Sequence, residues 1–131
     1  MILLDTHIWV WLAIDPKRLS RRATTAIRKA TESGGISIAS ISLWELAMLF
    51  ANGRLRAPGT VESRVRSVVE NTGVIVHEIS SEIAALSTMF PQAFPQDPAD
   101  RLIAATARSL GLSLVTKDQR ILDSGLLKTN W

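Results

Sequence analysis

The stretch from Met1 to Ile14 constrains the fold more than any other part of the chain. Eleven of its fourteen residues are apolar, and Asp5 is its only formally charged side chain. Residues 1–4 form an unbroken apolar run, which is typical of a strand buried on both faces. The pattern turns helical from Thr6, which we expect to be the N-cap. Asp5 is therefore expected where a buried strand meets a helix, and a carboxylate there is costly unless it is paired, protonated or bound to a cation.

The rest of the chain continues this alternation of apolar strands and amphipathic helices. Further strands are predicted at residues 36–40, 74–79 and 112–116, with a short edge strand within 125–128. The first helix should end at Asp15-Pro16, because a residue before proline disfavours the helical region. Later helices are predicted near residues 20–32, 42–52, 61–69, 80–90 and 97–111. Strands separated by helices favour an α/β fold, in which helices cover both faces of a parallel sheet.

Composition limits the class of protein. A chain of 131 residues with 47% apolar content fits one domain, residues 1–131, with a substantial core. No apolar run approaches the ~20 residues needed to cross a membrane. The absence of cysteine rules out disulfides and thiolate metal sites within the chain, and we expect a cytoplasmic location. The net charge of +3 is modest. If several acids are sequestered in one site, the remaining surface is more basic, which suits a polyanionic substrate, although basic surfaces also serve solubility.

Glu45 is the second notable acid. From Leu43 to Ala51 it is the only polar residue, so this helix is expected to be buried on nearly all sides. One interpretation is a capping box, in which Ser42 caps the helix and Glu45 lies three positions on. The other places Glu45 at the same sheet edge as Asp5, since its helix follows the second strand. The pattern leaves both roles open.

Two more acids follow predicted element boundaries. Asp97 is the expected cap of a helix with Pro98 at its first position, which leaves Asp100 free for chemistry. Asp100 is in line with the inward-facing Ile103, although an acid in a first turn also complements the helix dipole. Asp118 comes two residues after the last long strand, where a turn aspartate is the alternative.

These acids are expected to meet because parallel strands end along one edge of a sheet. Several carboxylates within a few ångströms cannot all remain ionised by themselves. Hard divalent cations such as Mg²⁺ or Mn²⁺ prefer oxygen ligands, so they would resolve the repulsion. Two such ions ~4 Å apart can activate water and stabilise the leaving oxygen in phosphodiester cleavage.

Four segments together resemble the PIN-domain ribonucleases, specifically the VapC-type toxins of bacterial toxin–antitoxin pairs. They are Leu-Leu-Asp5-Thr-His-Ile, Ser42-Leu-Trp-Glu45-Leu-Ala, Asp97-Pro-Ala-Asp100-Arg-Leu-Ile-Ala-Ala and Leu-Val-Thr116-Lys-Asp118. The resemblance assigns catalytic and metal-binding roles to Asp5, Glu45, Asp100 and Asp118. It also implies that the hydroxyl groups of Thr6 and Thr116 support the acids. Ala99 replaces a commoner aromatic residue, which should affect packing or substrate contact more than metal binding.

The resemblance carries further implications for structure and activity. It implies a twisted parallel sheet with strand order 3-2-1-4-5 and helices on both faces. It also implies Mg²⁺- or Mn²⁺-dependent cleavage of RNA by metal-activated water, a homodimer and a small cognate antitoxin as partner. The lack of a long apolar run predicts no association with membranes. The alternative is a catalytically inactive PIN-like module that binds RNA or protein.

Other residues have competing interpretations. His7 adjoins Asp5, but packing or hydrogen bonding is favoured over metal binding because the only other histidine, His77, is distant in sequence. The tryptophans Trp9, Trp11 and Trp44 fit core, dimer surface or partner groove. Exposed basic helix faces are candidates for contacts with an RNA backbone, among them residues 18–29 and Arg54, Arg56, Arg64 and Arg66.

Overall fold

The computed structural model describes residues 1–131 and contains five short strands and seven α-helices. The strands are β1 (Ile2–Leu4), β2 (Ile36–Ala39), β3 (Ile75–His77), β4 (Ser113–Val115) and β5 (Thr129–Asn130). The helices are α1 (Thr6–Ile14), α2 (Arg21–Glu32), α3 (Ile41–Ala51), α4 (Val61–Thr72), α5 (Ser81–Ser87), α6 (Pro98–Leu110) and α7 (Gln119–Leu122), and a 3-10 turn spans Pro16–Arg18. No helix combines the length and the hydropathy that crossing a membrane requires.

The strands form one sheet in the order β3-β2-β1-β4-β5, and every neighbouring pair is parallel. This confirms the α/β fold and the predicted strand order. β1 is central, with β2 on one side and β4 on the other. The chain leaves β1 for one neighbour and later returns to the opposite side, which makes the carboxyl end of β1 the switch point where α/β folds bind ligands.

Alternating side chains of the central strand separate two cores. Leu4 packs on one face with Ile8, Trp9 and Ile27, whereas Leu3 packs on the other with Ile103. Both leucines are fully buried because successive strand residues point to opposite faces and helices cover each face. The sheet edge that carries Asp5 is thus held rigidly from both sides.

Several local predictions need correction. Asp5, not Thr6, is the N-cap of α1, and its side chain accepts the Thr6 N–H. The edge strand lies at Thr129–Asn130 rather than within 125–128, because Gly125 adopts a left-handed turn (φ 67°) before the chain reaches its pairing with β4. The fifth helix ends at Ser87 rather than near Phe90, and the third strand is confined to Ile75–His77.

The expectation that α3 is buried on nearly all sides is also wrong. Leu46 and Phe50 are buried, but Trp44 is 57% exposed and Met48 is 45% exposed. These two side chains lie four positions apart and so share one helix face. The apolar composition of α3 therefore reflects an uncovered apolar surface as well as a core contact.

Candidate active site at the carboxyl edge of the sheet

Asp5 is fixed at the centre of the site by three hydrogen bonds. Its Oδ1 accepts the backbone N–H of Thr6 at 2.8 Å, and its Oδ2 accepts the Thr116 hydroxyl at 2.7 Å. Its own N–H donates to the carbonyl of Val115, at the end of β4. The side chain is only 7% exposed. Burial raises the pKa of Asp5, the negative charge of Asp118 adds to the rise, and the Thr116 and Thr6 hydrogen bonds and the charge of His7 partly offset it.

Glu45 is linked to Asp5 through Thr6. The Thr6 hydroxyl donates to Glu45 Oε1 at 2.5 Å and lies 2.7 Å from the Ser42 hydroxyl. Since one hydroxyl carries one proton, Ser42 donates to Thr6 in this arrangement. Ser42 lies inside α3 and Ser40 is the N-cap, so the capping-box interpretation of Glu45 is wrong. Burial raises the pKa of Glu45, and the charges of Asp5 and Asp97 add to the effect.

Asp100 projects from the first turn of α6. The neighbouring Asp97 caps this helix by accepting the N–H of Ala99 at 3.0 Å, as predicted. No hydrogen bond lowers the pKa of Asp100, and burial together with the charges of Asp5, Asp97 and Glu45 raises it to about 7. Near neutral pH this carboxyl group is therefore poised between its protonated and ionised forms.

Asp118 caps the short helix α7 and is held by an arginine. Its Oδ1 accepts the backbone N–H of Arg120 at 2.9 Å, and its Oδ2 accepts from the guanidinium at 3.0 Å. Burial alone would raise the pKa of Asp118, but the hydrogen bonds and charge of Arg120 outweigh it and hold that pKa below its ordinary value. The Asp118 N–H donates to the Thr116 hydroxyl at 3.1 Å, so Thr116 contacts both aspartates.

All four predicted acids line one cavity of about 400 Å³. Its wall consists of Asp5, His7, Trp11, Glu45, Asp97, Asp100, Lys117, Asp118 and Arg120. The sequence did not single out Asp97, Lys117 or Arg120 as members of this wall. His7 is exposed and faces the cavity, so it is not packed in the core. Trp9, in contrast, is fully buried and donates from Nε1 to the Thr72 hydroxyl at 2.9 Å.

The donor set of this cavity fits a hard divalent cation. The ligand atoms on offer are carboxylate oxygens, which Mg²⁺ and Mn²⁺ favour. No three of the acids or histidines are close enough to form a preassembled metal-binding group. Glu45 is occupied by Thr6 and Asp118 by Arg120, so a cation would have to draw these carboxylates away from their present partners.

Arg101 is a structural residue of the site that sequence reasoning missed. Its guanidinium donates to the carbonyl oxygens of Phe90, Pro91 and Pro95, each at 2.9 Å. The signal was available, because Pro91 and Pro95 lack N–H groups and such a loop needs an outside donor for its carbonyls. Arg101 thereby fixes the segment that leads into Asp97 and Asp100.

The four arginines proposed for RNA contact do not line the acidic cavity. Arg66 is paired with Glu62 on the surface of α4. Arg64 lies 5.7 Å from the centre of the Phe50 ring and, with Arg56, lines a separate cavity with mostly apolar walls. The structure therefore separates this basic region from the acids.

Comparison with known proteins gives consistent matches over nearly the whole chain. A family model described as PIN domain matches residues 2–125. The chain is 40% identical over 120 residues to Ribonuclease VapC22 of Mycobacterium tuberculosis (strain ATCC 25618 / H37Rv), which covers 92% of this chain and 88% of that protein.

Solved structures resemble the chain over a similar extent. The crystal structure of VapBC2 from Rickettsia felis bound to a DNA fragment from the promoter superposes with a TM-score of 0.72 at 19% identity, covering 98% of this chain and 97% of that one. VapBC-1 from nontypeable Haemophilus influenzae has a TM-score of 0.64 at 27% identity, with coverage of 98% and 96%.

Proposed function

The chain belongs to the PIN-domain family, and from this premise we propose that it is a metal-dependent endoribonuclease, the toxin of a toxin–antitoxin pair. One observation carries the proposal: Asp5, Glu45, Asp100 and Asp118 line a single cavity at the carboxyl edge of the sheet. The 40% identity to a ribonuclease supports the substrate class. A catalytically inactive PIN-like module would not need four carboxylates that repel one another in a single cavity.

In this proposal Asp5, Glu45 and Asp100 hold Mg²⁺ or Mn²⁺, and Asp118 completes a second site or positions water. A bound ion of this kind supplies an activated water and stabilises negative charge on the scissile phosphate. Thr116 keeps Asp5 in one rotamer, and Thr6 does the same for Glu45 through the bonds described above. Both threonines thus restrict the acids before any ligand arrives, which lowers the cost of assembling the site.

Asp100 has a distinct part in this proposal because its pKa lies at about 7. In the metal-free protein at neutral pH, Asp100 is protonated in a fraction of the molecules. A cation that binds there would displace that proton. Ion binding should therefore become tighter as the pH rises through 7.

We extend the proposal to the partners. A groove of about 510 Å³ between α1, α3 and α4, lined by Ile14, Phe50 and Leu55 among others, would take an apolar segment of a small antitoxin. The exposed Trp44 and Met48 on α3 would form part of a homodimer surface, since exposed aromatic and methionine side chains are enriched at interface centres. RNA cleavage in this role takes place in the cytoplasm.

The test is cleavage of RNA by the purified protein with Mg²⁺, with Mn²⁺ and with excess EDTA. We expect cleavage only with a divalent cation. Asp5→Asn should reduce the rate by at least ~100-fold, because it alters a ligand rather than a supporting residue. Asp123→Asn is the matched control, because Asp123 is exposed and does not line the cavity.

Two results would count decisively against the proposal. The first is undiminished cleavage in EDTA, and the second is wild-type activity in Asp5→Asn. Circular dichroism and the melting temperature of each variant separate loss of the site from loss of the fold.

A further inference from the structure

One side of the acidic cavity is an aromatic and cationic wall. Trp11 and Lys117 line the cavity, and Lys117 Nζ lies 5.6 Å from the Trp11 ring centre and 5.9 Å from that of Trp131. The guanidinium of Arg18 lies 4.5 Å from the Trp11 ring centre. The two indoles are 6.1 Å apart and tilted by 55°. Lys117 is thus held at the rim by two aromatic rings rather than by an acid.

A basic groove continues from this wall. Its volume is about 600 Å³, and its cationic lining comes from Arg21, Arg22 and Lys29 along one face of α2. Asn130 forms part of the opposite side, and the next residue is Trp131 of the aromatic wall. The groove has no acidic residue in its lining. Arg18 of the aromatic wall precedes Arg21 of the groove by three residues, and Trp131 follows Asn130 directly, so the two cationic surfaces are neighbours in the chain.

Asn130, one of the residues that line this groove, carries an unpaired hydrogen-bond acceptor. The Oδ1 atom of Asn130 is buried and has no partner. A buried acceptor is costly to leave unpaired, so a ligand hydroxyl or amino group that reached it would bind favourably. The groove thus offers positive charge for phosphates, and a rotation of the Asn130 amide would present its acceptor to a sugar or base donor.

These features match the chemistry of single-stranded RNA. Phosphates interact with lysine and arginine, exposed bases stack on indole rings, and the 2′-hydroxyl group is a hydrogen-bond donor. The acids of the cavity repel an RNA backbone, so cations beside the cavity are needed to hold the strand near it. The arginines of α4 are less suited to binding the RNA backbone, because Arg66 is already paired with Glu62 and the adjoining cavity is largely apolar.

We propose that single-stranded RNA runs from the acidic cavity across Trp11, Lys117 and Trp131 into the basic groove of α2. This inference rests on the proposed ribonuclease function and adds the path of the substrate. Lys117 and Arg18 bind the phosphates nearest the cavity, the indoles stack against an unpaired base, and Arg21 and Arg22 bind the backbone farther along. Stacking on the indoles requires an unpaired base, so single strands should bind more tightly than duplexes.

The test measures the affinity of the protein for a fluorescein-labelled oligouridine of about 12 nucleotides in EDTA. Fluorescence anisotropy gives this affinity at each of several salt concentrations. The double variant Arg21→Gln/Arg22→Gln should reduce the slope of log affinity against log salt by roughly 1.4, since each phosphate contact on a single strand contributes about 0.7. Lys117→Gln should reduce it by about half as much. Trp131→Ala should weaken binding by roughly 5- to 100-fold through loss of stacking.

Control variants keep the inference falsifiable. Arg108→Gln removes an exposed arginine from the last turn of α6, away from the groove, and should leave the affinity and the slope unchanged. In cleavage assays with Mg²⁺, Arg21→Gln/Arg22→Gln should raise KM more than it lowers kcat, because neither arginine lines the acidic cavity. Unchanged melting temperatures are expected for the arginine and lysine variants, because these side chains are exposed.

The inference is overturned if the groove variants bind the oligonucleotide like the wild type, or if only Arg64→Gln/Arg66→Gln loses affinity. Tighter binding of duplex RNA than of the single strand would also overturn it. These failures are distinguishable from failure of the proposed function. A wild-type protein that cleaves RNA while its groove variants bind normally refutes the path alone, and one that binds through the groove without cleaving refutes the ribonuclease assignment alone.

Discussion

Asp5 and Asp118 occupy equivalent places in the fold but are prepared for different chemistry. Each follows an inner strand of the sheet, β1 or β4, and caps the next helix. Asp5 is buried against uncharged donors, so its pKa is raised, whereas Asp118 pairs with Arg120 and its pKa is lowered. The same local motif thus yields one carboxylate in need of a cation and one that already has a cationic partner. Burial and one neighbouring side chain therefore decide the reactivity: Asp5 is buried and bonded to the distant Thr116, whereas Asp118 is held by Arg120, two residues further along.

The largest expected effect separates the two aspartates directly. Asp5→Asn should reduce metal-dependent cleavage by at least ~100-fold, whereas Asp118→Asn should reduce it only about tenfold, because Asp118 is already neutralised by Arg120. Initial rates with saturating Mn²⁺ measure both. Equal losses of cleavage rate in the two variants would contradict the difference between Asp5 and Asp118.

Thr116 connects the two aspartates, so its removal should affect both. Thr116→Val keeps the volume but removes the donor to Asp5 and the acceptor for the Asp118 N–H. We expect Mn²⁺ affinity to fall by about 10- to 100-fold and the free energy of unfolding by about 1–3 kcal/mol.

Titration calorimetry and urea denaturation measure these two effects of Thr116→Val. Thr106→Val is the matched control, since that buried hydroxyl donates to the Leu102 carbonyl and contacts no acid. A Thr116→Val protein with unaltered Mn²⁺ affinity would show that the hydrogen bonds do not prepare Asp5.

Asp100 and Asp118 should contribute to the pH dependence of folding stability with opposite signs. The raised pKa of Asp100, about 7, means that the folded metal-free protein binds a proton more tightly than the unfolded chain. Its Tm in EDTA should therefore fall as the pH rises from about 4 to 7. The lowered pKa of Asp118 contributes stability above its ordinary value of 3.8, which is lost in more acidic solution.

Calorimetric scans of wild type and Asp100→Asn in EDTA test this sign. The substitution should flatten the fall between about pH 4 and 7 and raise the Tm at the upper end. A variant whose Tm falls with pH as steeply as that of the wild type would assign the effect to groups other than Asp100.

The smallest expected effect concerns the partner of Asp118. Arg120→Gln removes a competing cation from an exposed pair, so Mn²⁺ should bind about two- to fivefold more tightly. This gain should vanish when Asp118→Asn is also present. Weaker Mn²⁺ binding in Arg120→Gln would mean that Arg120 supports the site rather than competing for its carboxylate.

The fold was largely predictable because the relevant signals are local. Apolar runs marked β1, β2 and β4, and Ser20, Asp97 and Gly111 marked helix ends as the structure has them. The placement of Asp5 and Glu45 followed from these boundaries, since parallel strands end on one edge. The strand order itself came from the family resemblance and is confirmed.

The remaining features depend on contacts between distant residues. The Thr6–Glu45 bond joins positions 39 residues apart, and no local pattern distinguished it from a capping box. The exposure of Trp44 could not be inferred either, because the sequence of an apolar helix is the same whether the core or a partner protein covers it. The role of Arg101 depended on linking it to the carbonyl oxygens of a proline-rich loop six to eleven residues earlier, a signal that was present but not local to the helix.

The shared-cation account is tested most directly by Mn²⁺ binding to the purified metal-free protein, measured by titration calorimetry at neutral pH. We predict that Asp5→Asn, Glu45→Gln and Asp100→Asn each weaken binding by at least about tenfold, while Asp123→Asn leaves it unchanged. Mn²⁺ binding that survives all three substitutions at wild-type strength would contradict the account, because the three carboxylates would then not bind a common ion.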